Sequence, residues 1–396
     1  MTTDSNTEHT ADAKTALFAL AAGTFSIGTT EFAPMGLLPI IADGVDVSIP
    51  TAGTLVTAYA VGVMISGPII TLLLSQISKR AALLALMSVF VLGNLISAMA
   101  PDYMWLMVGR VITSLCQGGF FGFGAVVATQ VVSREKQASA VATMFMGASI
   151  ANIGGVPLAS WLGQEYGWRT VFICTAVLGV LAMGALFKAL PHGEKGYKPD
   201  MLSELKSLMH PEMLVAVSLT VMFASAFFAL YTYVAPLLQE ITGASGGFIT
   251  GMLLLIGLSL TAGNWIGGRL ADWSLDGATA IGKALLCVSL LLAPLFLTTH
   301  TGAALTLSVW AVAAFIIVPP LQLRAMHATA EAPSLGSALN MSAFNFGNAI
   351  GAMVGGGALQ LGFGYSAIPV AGGLIAAAGL LLLWIARRTR STAAAA

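Results

Sequence analysis

Charge is what this chain has least of. Lys, Arg, Asp and Glu make up 9% of its 396 residues, against about a quarter in an ordinary soluble domain. So few charged groups cannot cover the surface of a water-soluble protein of this size, which excludes an aqueous globular fold. The 17 basic and 17 acidic residues cancel, so the basic footprint of a nucleic-acid binder is missing too. Cysteine is scarce: Cys116, Cys174 and Cys287 all lie in apolar runs, and neither a disulfide framework nor a cysteine metal site is expected. The five histidines do not cluster with acids in any apolar run. There is no nucleotide-binding loop and no nucleophile motif, which argues against a membrane enzyme. No cofactor and no metal are expected. What is present is apolar: hydrophobic residues make up 57% and the mean hydropathy is +0.88, the composition of a chain that uses lipid as solvent.

A bilayer core needs about 20 apolar residues per helix. Twelve runs qualify, at 16–42, 52–74, 81–100, 104–130, 138–163 and 168–190, then 212–240, 246–270, 279–299, 303–327, 334–360 and 363–386. The N-terminal stretch MTTDSNTEHTADAK has no basic n-region, and the run after it is too long for a signal peptide, so the first run reads as a retained helix. Connections are short except 191–211, which is polar and holds Pro191, Pro199 and Pro211. The expected fold is an all-α membrane protein of twelve transmembrane helices in two six-helix bundles related by a pseudo-twofold axis. Its plan is a tail at 1–15, a bundle at 16–190, a linker at 191–211, a bundle at 212–388 and a tail at 389–396.

Basic residues orient the spans. With the N-terminus inside, fifteen of the seventeen, Lys283 and Arg324 among them, fall at cytoplasmic ends or loops. Arg169 lies outside, and Arg110 lies within the fourth span. Both termini are expected in the cytoplasm of a multi-pass inner-membrane protein. Glu31 is the one acid well inside a span, so two opposite charges are left in the membrane.

The second half repeats the first. A shift of 197 lays Ile350–Tyr365 on Ile153–Trp168, and Gly268–Trp273 on the segment from Thr71. A shift of 202 lays TYVAPLLQEI on TEFAPMGLLPI, matching Thr30, Ala33 and Pro34 with Thr232, Ala235 and Pro236. Repeats of this kind place a substrate site at their interface near the midplane. Glu31 then falls on Tyr233 and Arg110 on Leu307. The expectation is that the first half handles protons and the second half shapes the cavity.

Twelve spans in a 6+6 plan with a basic central loop resemble the major facilitator superfamily, over about residues 14–390. The closest likeness is to its twelve-helix drug:proton antiporters, including sugar-efflux and multidrug-efflux members. TTEFAPMGLLPIIA is similar to that branch's first-helix motif. Gly109–Gly119 is similar to its fourth-helix motif through Arg110, Gln117 and Gly118. Gly147–Gly163 resembles the fifth-helix antiporter motif, with its Gly-Pro element spread over Gly154, Gly155 and Pro157. The family's cytoplasmic motif after span 2, G-x-L-A-D-R-x-G-R-R, is degenerate at Thr71–Arg80, where Lys79 and Arg80 remain. The copy at Gly268–Trp273 keeps Arg269 and Asp272. The resemblance implies alternating access and proton antiport.

For proton coupling the candidates are Glu31 and Arg110. A carboxyl at mid-membrane is costly; burial favours its neutral form and a nearby cation its ionised form, so it can take and release a proton. Arginine cannot lose its proton, and would tune the glutamate. The plainer alternatives are a structural hydrogen bond for Glu31 and snorkelling to the interface for Arg110. Arg110, Ser114, Gln117 and Phe121 share one face of span 4. For substrate contact the candidates are Gln117, Phe121, Asn152, Phe227, Tyr231, Tyr233, Asn340 and Asn345, each with an interhelical hydrogen bond or packing as its alternative. For gating they are Asp272, Arg269, Arg134, Gly154, Gly155 and Pro157, with Asp272 expected near Arg134 and the glycines expected either to pack helices closely or to block proton leak.

The function expected is a proton-coupled exporter of small amphipathic organic molecules, drugs or sugar-like metabolites, acting as a monomer and carrying one proton per cycle on Glu31. Its partners are the substrate, protons and the bilayer. A uniporter or symporter of the same fold is the alternative, and a channel fits the duplicated plan less well.

Overall fold

The computed structural model describes residues 3–74, 76–133, 137–190, 211–328 and 333–395. The linker segment 191–210 and Arg134 lie outside them. The described residues form helices and contain no β-strand. In lipid a chain must satisfy its own backbone, and a helix does so within one segment.

Among the described residues there are fifteen α-helices: α1 Thr3–Gly44, α2 Ile49–Leu74, α3 Lys79–Met99, α4 Tyr103–Gln130, α5 Gln137–Ile150, α6 Val156–Tyr166, α7 Trp168–Ala189, α8 Pro211–Tyr231, α9 Val234–Thr242, α10 Gly246–Trp273, α11 Leu275–Phe296, α12 His300–Ile316, α13 Val318–Ala328, α14 Pro333–Gln360 and α15 Ala367–Ala395. A π-helical turn, Ala151–Gly155, joins α5 to α6 without a break. The tail expected at 1–15 is helical from Thr3. Polar caps start the helices at the short connections: Ser78, Asp102, Ser245, Ser274 and Thr299 each accept a backbone N–H of the first turn. Gly167, at φ 85°, makes the one-residue joint between α6 and α7, a conformation open to glycine without strain.

Among the described residues eleven helical stretches are long and apolar enough to cross a membrane. The twelfth expected span is α14, 28 residues long, whose asparagines and glycines lower its hydropathy. The duplication shows in the helix starts. Ile49 and Gly246, Lys79 and Leu275, Tyr103 and His300, Gln137 and Pro333, and Trp168 and Ala367 are offset by 197, 196, 197, 196 and 199.

The chain divides into two compact units: unit 1 is Met1–Asp46 with Gly62–Pro199, and unit 2 is Val47–Val61 with Asp200–Ala396. In unit 1, α1 packs on α5 and α7, and α3 packs on α4 and α7. Leu20, Ile27, Leu86, Phe90, Phe120 and Met144 form its core. Small residues bring α1 and the fifth span together: a Cβ at Gly147 would strike the carbonyl of Ala21, one at Gly155 the Thr29 hydroxyl, and one at Gly163 Leu37. In unit 2, α8 packs on α14 and α15, α10 on α12, and α11 on α15. Large apolar side chains such as Phe18, Leu73, Leu295 and Met353 stay exposed, as a lipid-facing surface requires.

Candidate functional site

The membrane charges of the first half meet in unit 1. Glu31 lies about two-thirds of the way along α1 and is 6% exposed; Arg110 on α4 is 1% exposed. Gln117, two turns along α4 from Arg110, donates Nε2–H to Oε2 of Glu31 at 2.9 Å. Arg110 donates Nη1–H to the carbonyl of Thr30, the residue before Glu31, at 2.9 Å.

That carbonyl has a sequence origin. In a helix the C=O of residue 30 would accept the N–H of residue 34. Residue 34 is proline, which has none, so Pro34 frees the acceptor that Arg110 takes. Unit 2 repeats the proline without the arginine. Pro236 removes the N–H that Thr232 would receive, the arginine position is Leu307, and the helix is interrupted there, α8 ending at Tyr231 and α9 starting at Val234. The first helix runs on through Pro34, with Arg110 on the freed carbonyl, where its counterpart breaks.

A second polar layer supports the first. Oδ1 of Asn94 on α3 accepts the hydroxyls of Thr30 and Thr175, each at 3.0 Å, and its Nδ2 donates to Phe90 O. Asn94 thus ties α1, α3 and α7 together beside Glu31. Sequence reasoning passed over it, although a lone amide in the apolar run VFVLGNLISAM was the available signal.

The cluster can serve either protonation state. The Gln117 amide N–H suits a carboxylate. Its Oε1 has no partner among the described residues, and after a half-turn of the amide it can accept the O–H of a protonated Glu31.

The substrate-contact candidates separate. In unit 1 the Phe121 ring lies 5.2 Å from Phe145, and Asn152 donates to Ala148 O within its own helix. In unit 2 Asn340 joins Thr220 and Gln322, each at 2.6 Å, and the Tyr233 hydroxyl donates to Ala352 O; both make interhelical bonds. Phe227 stacks on Trp310 with centroids 4.7 Å apart, beside Tyr231. Asn345 Oδ1 and Trp310 Nε1 are buried without a partner among the described residues. Trp310 was not among the sequence candidates.

The gating candidates separate as well. Gly155 and Pro157 are buried, whereas Gly154 is exposed with open space at its Cβ position. Arg269 and Asp272 are exposed, and the Arg269 guanidinium lies 3.8 Å over the Trp265 ring. The acid that forms ion pairs here is Asp276, four residues after Asp272. It pairs with Arg324 and, at 3.4 Å, with Arg387.

One expectation is overturned. Lys283 was assigned to a cytoplasmic end, and the second half was expected to hold no buried charge. Lys283 is 0% exposed, eight residues inside α11, with Nζ donating to Leu219 O at 3.1 Å. Its run is as apolar as its neighbours, so hydropathy alone did not distinguish an end from a core.

The family model described as Major Facilitator Superfamily matches residues 20–351. The chain is 54% identical over 372 residues to the inner membrane transport protein YdhP of Escherichia coli (strain K12), covering 94% of this chain and 96% of that one. It is 31% identical over 385 residues to a chloramphenicol resistance protein of Streptomyces lividans, covering 96% and 98%. Among solved structures it superposes on a bacterial homologue of the human lysosomal transporter Spinster, inward-facing and occupied, with TM-score 0.78 and 15% identity over 94% of this chain and 96% of that one, a likeness of fold alone.

Proposed function

Since this chain belongs to the major facilitator superfamily and is a membrane transporter, we propose that it exports small amphipathic organic molecules across the inner membrane in exchange for protons. The observation that carries this reading is the buried Glu31 held by Gln117 beside the fixed charge of Arg110. An ionisable side chain inside a membrane is expensive and marks an ion or proton path. Glu31 takes the proton, Gln117 follows it between the two states, and Arg110, bonded to the carbonyl that Pro34 leaves free, keeps the ionised state accessible. The two units work by alternating access, with both termini in the cytoplasm. Phe227 and Trp310 stack in the interior of unit 2, where Trp310 Nε1 and Asn345 Oδ1 have no partner among the described residues, and these apolar rings and single polar groups suit an uncharged or weakly polar substrate once the unit opens to admit it. Efflux is supported by the relative named for chloramphenicol resistance.

The test uses the purified chain in proteoliposomes under an imposed acid gradient, with chloramphenicol as first probe and a panel of sugars and nucleosides beside it. Gradient-driven movement of at least one probe is expected, and Glu31→Gln should abolish it while sparing substrate exchange without a gradient. Transport by the parent that ignores the gradient would identify a uniporter of the same fold. Gradient-driven transport at the parental rate in Glu31→Gln would remove Glu31 from the mechanism.

A further inference from the structure

Unit 2 holds a buried ionisable group that the proposed mechanism does not use. Lys283 Nζ reaches one acceptor, the carbonyl of Leu219 on α8. On the other side α15 passes close because residue 379 is glycine: a Cβ there would lie 2.8 Å from Nζ. Three helices therefore meet at the amine. Its counterpart under the 197-residue shift is Leu86, so the fold does not require a lysine here.

Each of the three helices carries a charged residue two turns toward the same end of the unit. Glu212 precedes Leu219 by seven residues, Asp276 precedes Lys283 by seven, and Arg387 follows Gly379 by eight. Seven or eight residues return to the same helix face, about 10–12 Å along the axis at 1.5 Å per residue. Glu212, Asp276 and Arg387, joined by Arg324 and His327 from α13, line a cavity of about 380 Å³. The cavity thus lies directly along the helix axes from the amine. Thr279, buried on the same face of α11 between Asp276 and Lys283, supplies a hydroxyl on the way.

The other charges around α11 stand apart. On α10, Arg269 and Asp272 are exposed. On α12 the titratable side chain is His300, at the opposite end. On α15, Arg388 lies over the Trp384 ring at 3.9 Å. No acid forms an ion pair with Lys283 among the described residues; the pairs of this region belong to Asp276. An intramembrane lysine with a backbone acceptor instead of a counter-ion, two helix turns from a charged cavity, has the makings of a proton site.

We propose that Lys283 is a second proton-exchange site, whose amine takes a proton from the cavity lined by Asp276, Arg324 and Arg387 and returns it there. The nitrogen lone pair binds the proton on uptake; on release the proton passes to water in the cavity and the pair stays on Nζ. A transport cycle then has two proton-carrying groups, Glu31 in unit 1 and Lys283 in unit 2, in place of the single carrier expected from the sequence. The assignment to a transport cycle rests on the proton-coupled reading above; the proton site itself does not.

The test needs no substrate. The full chain in nanodiscs is stepped from about pH 8 to about pH 6 in weak buffer, and an indicator dye counts protons taken up per folded chain. Lys283→Met should take up one proton fewer than the parent, Glu31→Gln one fewer, and the double variant two fewer. Should Lys283→Met not fold, Lys283→Arg keeps a donor for Leu219 O and cannot release its proton, so it should show the same deficit. Uptake equal to the parent in a folded Lys283 variant overturns the proposal. Uptake equal to the parent in Glu31→Gln would instead sink the coupling role of Glu31 and leave Lys283 standing.

Discussion

Gln117→Leu isolates what one hydrogen bond contributes to proton exchange. Leucine keeps most of the side-chain volume, so packing on α4 changes little. What goes is the 2.9 Å bond from Nε2 to the Glu31 carboxylate, with both residues almost fully buried. A hydrogen bond to a charged group contributes about 1.5–3 kcal/mol, and one between neutral groups about 0.5–1.5. The protonated acid can use Gln117 only as the weaker kind, so the ionised state loses about 1–2 kcal/mol more. At about 1.4 kcal/mol per pH unit, the pH at half-maximal proton-driven transport should rise by about one unit in the variant. The sign follows from which state is weakened: a carboxylate without its donor holds the proton more tightly and releases it only at higher pH. Stability should move in the same sense. The gap in thermal stability between parent and variant should be largest at high pH, where Glu31 is ionised, and should shrink as the pH falls. Proteoliposome flux across a pH series, with melting curves at the same pH values, reads both. An unchanged flux midpoint together with a pH-independent stability gap would refute the claim that Gln117 discriminates between the states of Glu31.

Arg110→Leu, which copies the second half, should cost about 1–3 kcal/mol by leaving the Thr30 carbonyl unpaired; adding Pro34→Ala restores the missing N–H and should recover that stability in thermal melts without recovering proton-driven flux, whereas no recovery would separate Arg110 from Pro34. Asp276→Asn should destabilise unit 2 by about 1–3 kcal/mol, less than for a fully buried pair because Asp276 is partly solvated; a melting curve like the parent's would show that the Arg324 pair is immaterial. Gly147→Ala drives a methyl into the Ala21 carbonyl and should cost about 1–3 kcal/mol, whereas Gly154→Ala meets open space and should fold like the parent. The reverse order in a thermal-shift assay would contradict the α1–α5 packing.

Much of this protein was legible before any coordinates. A bilayer leaves a spanning backbone one economical form, so apolar runs of the right length became helices. The 197-residue repeat was readable because duplicated helices keep their turn residues and lengths, as the paired starts show. Glu31, Arg110 and Gln117 stood out because a charge in an apolar run is rare and helical spacing puts two of them on one face. Periodicity names a face and not the atoms opposite it. That the Arg110 guanidinium lands on the carbonyl freed by Pro34, that Asn94 gathers Thr30 and Thr175, and that Asp276 rather than Asp272 holds Arg324 depend on segments 48 to 81 residues apart. Lys283 shows the limit most plainly. Seen along the chain it is a lysine two turns from a helix start, which a flexible stem could carry to the interface. Only the approach of Leu219 on α8 and Gly379 on α15 closes over it, because whether a side chain is buried is decided by its neighbours in space.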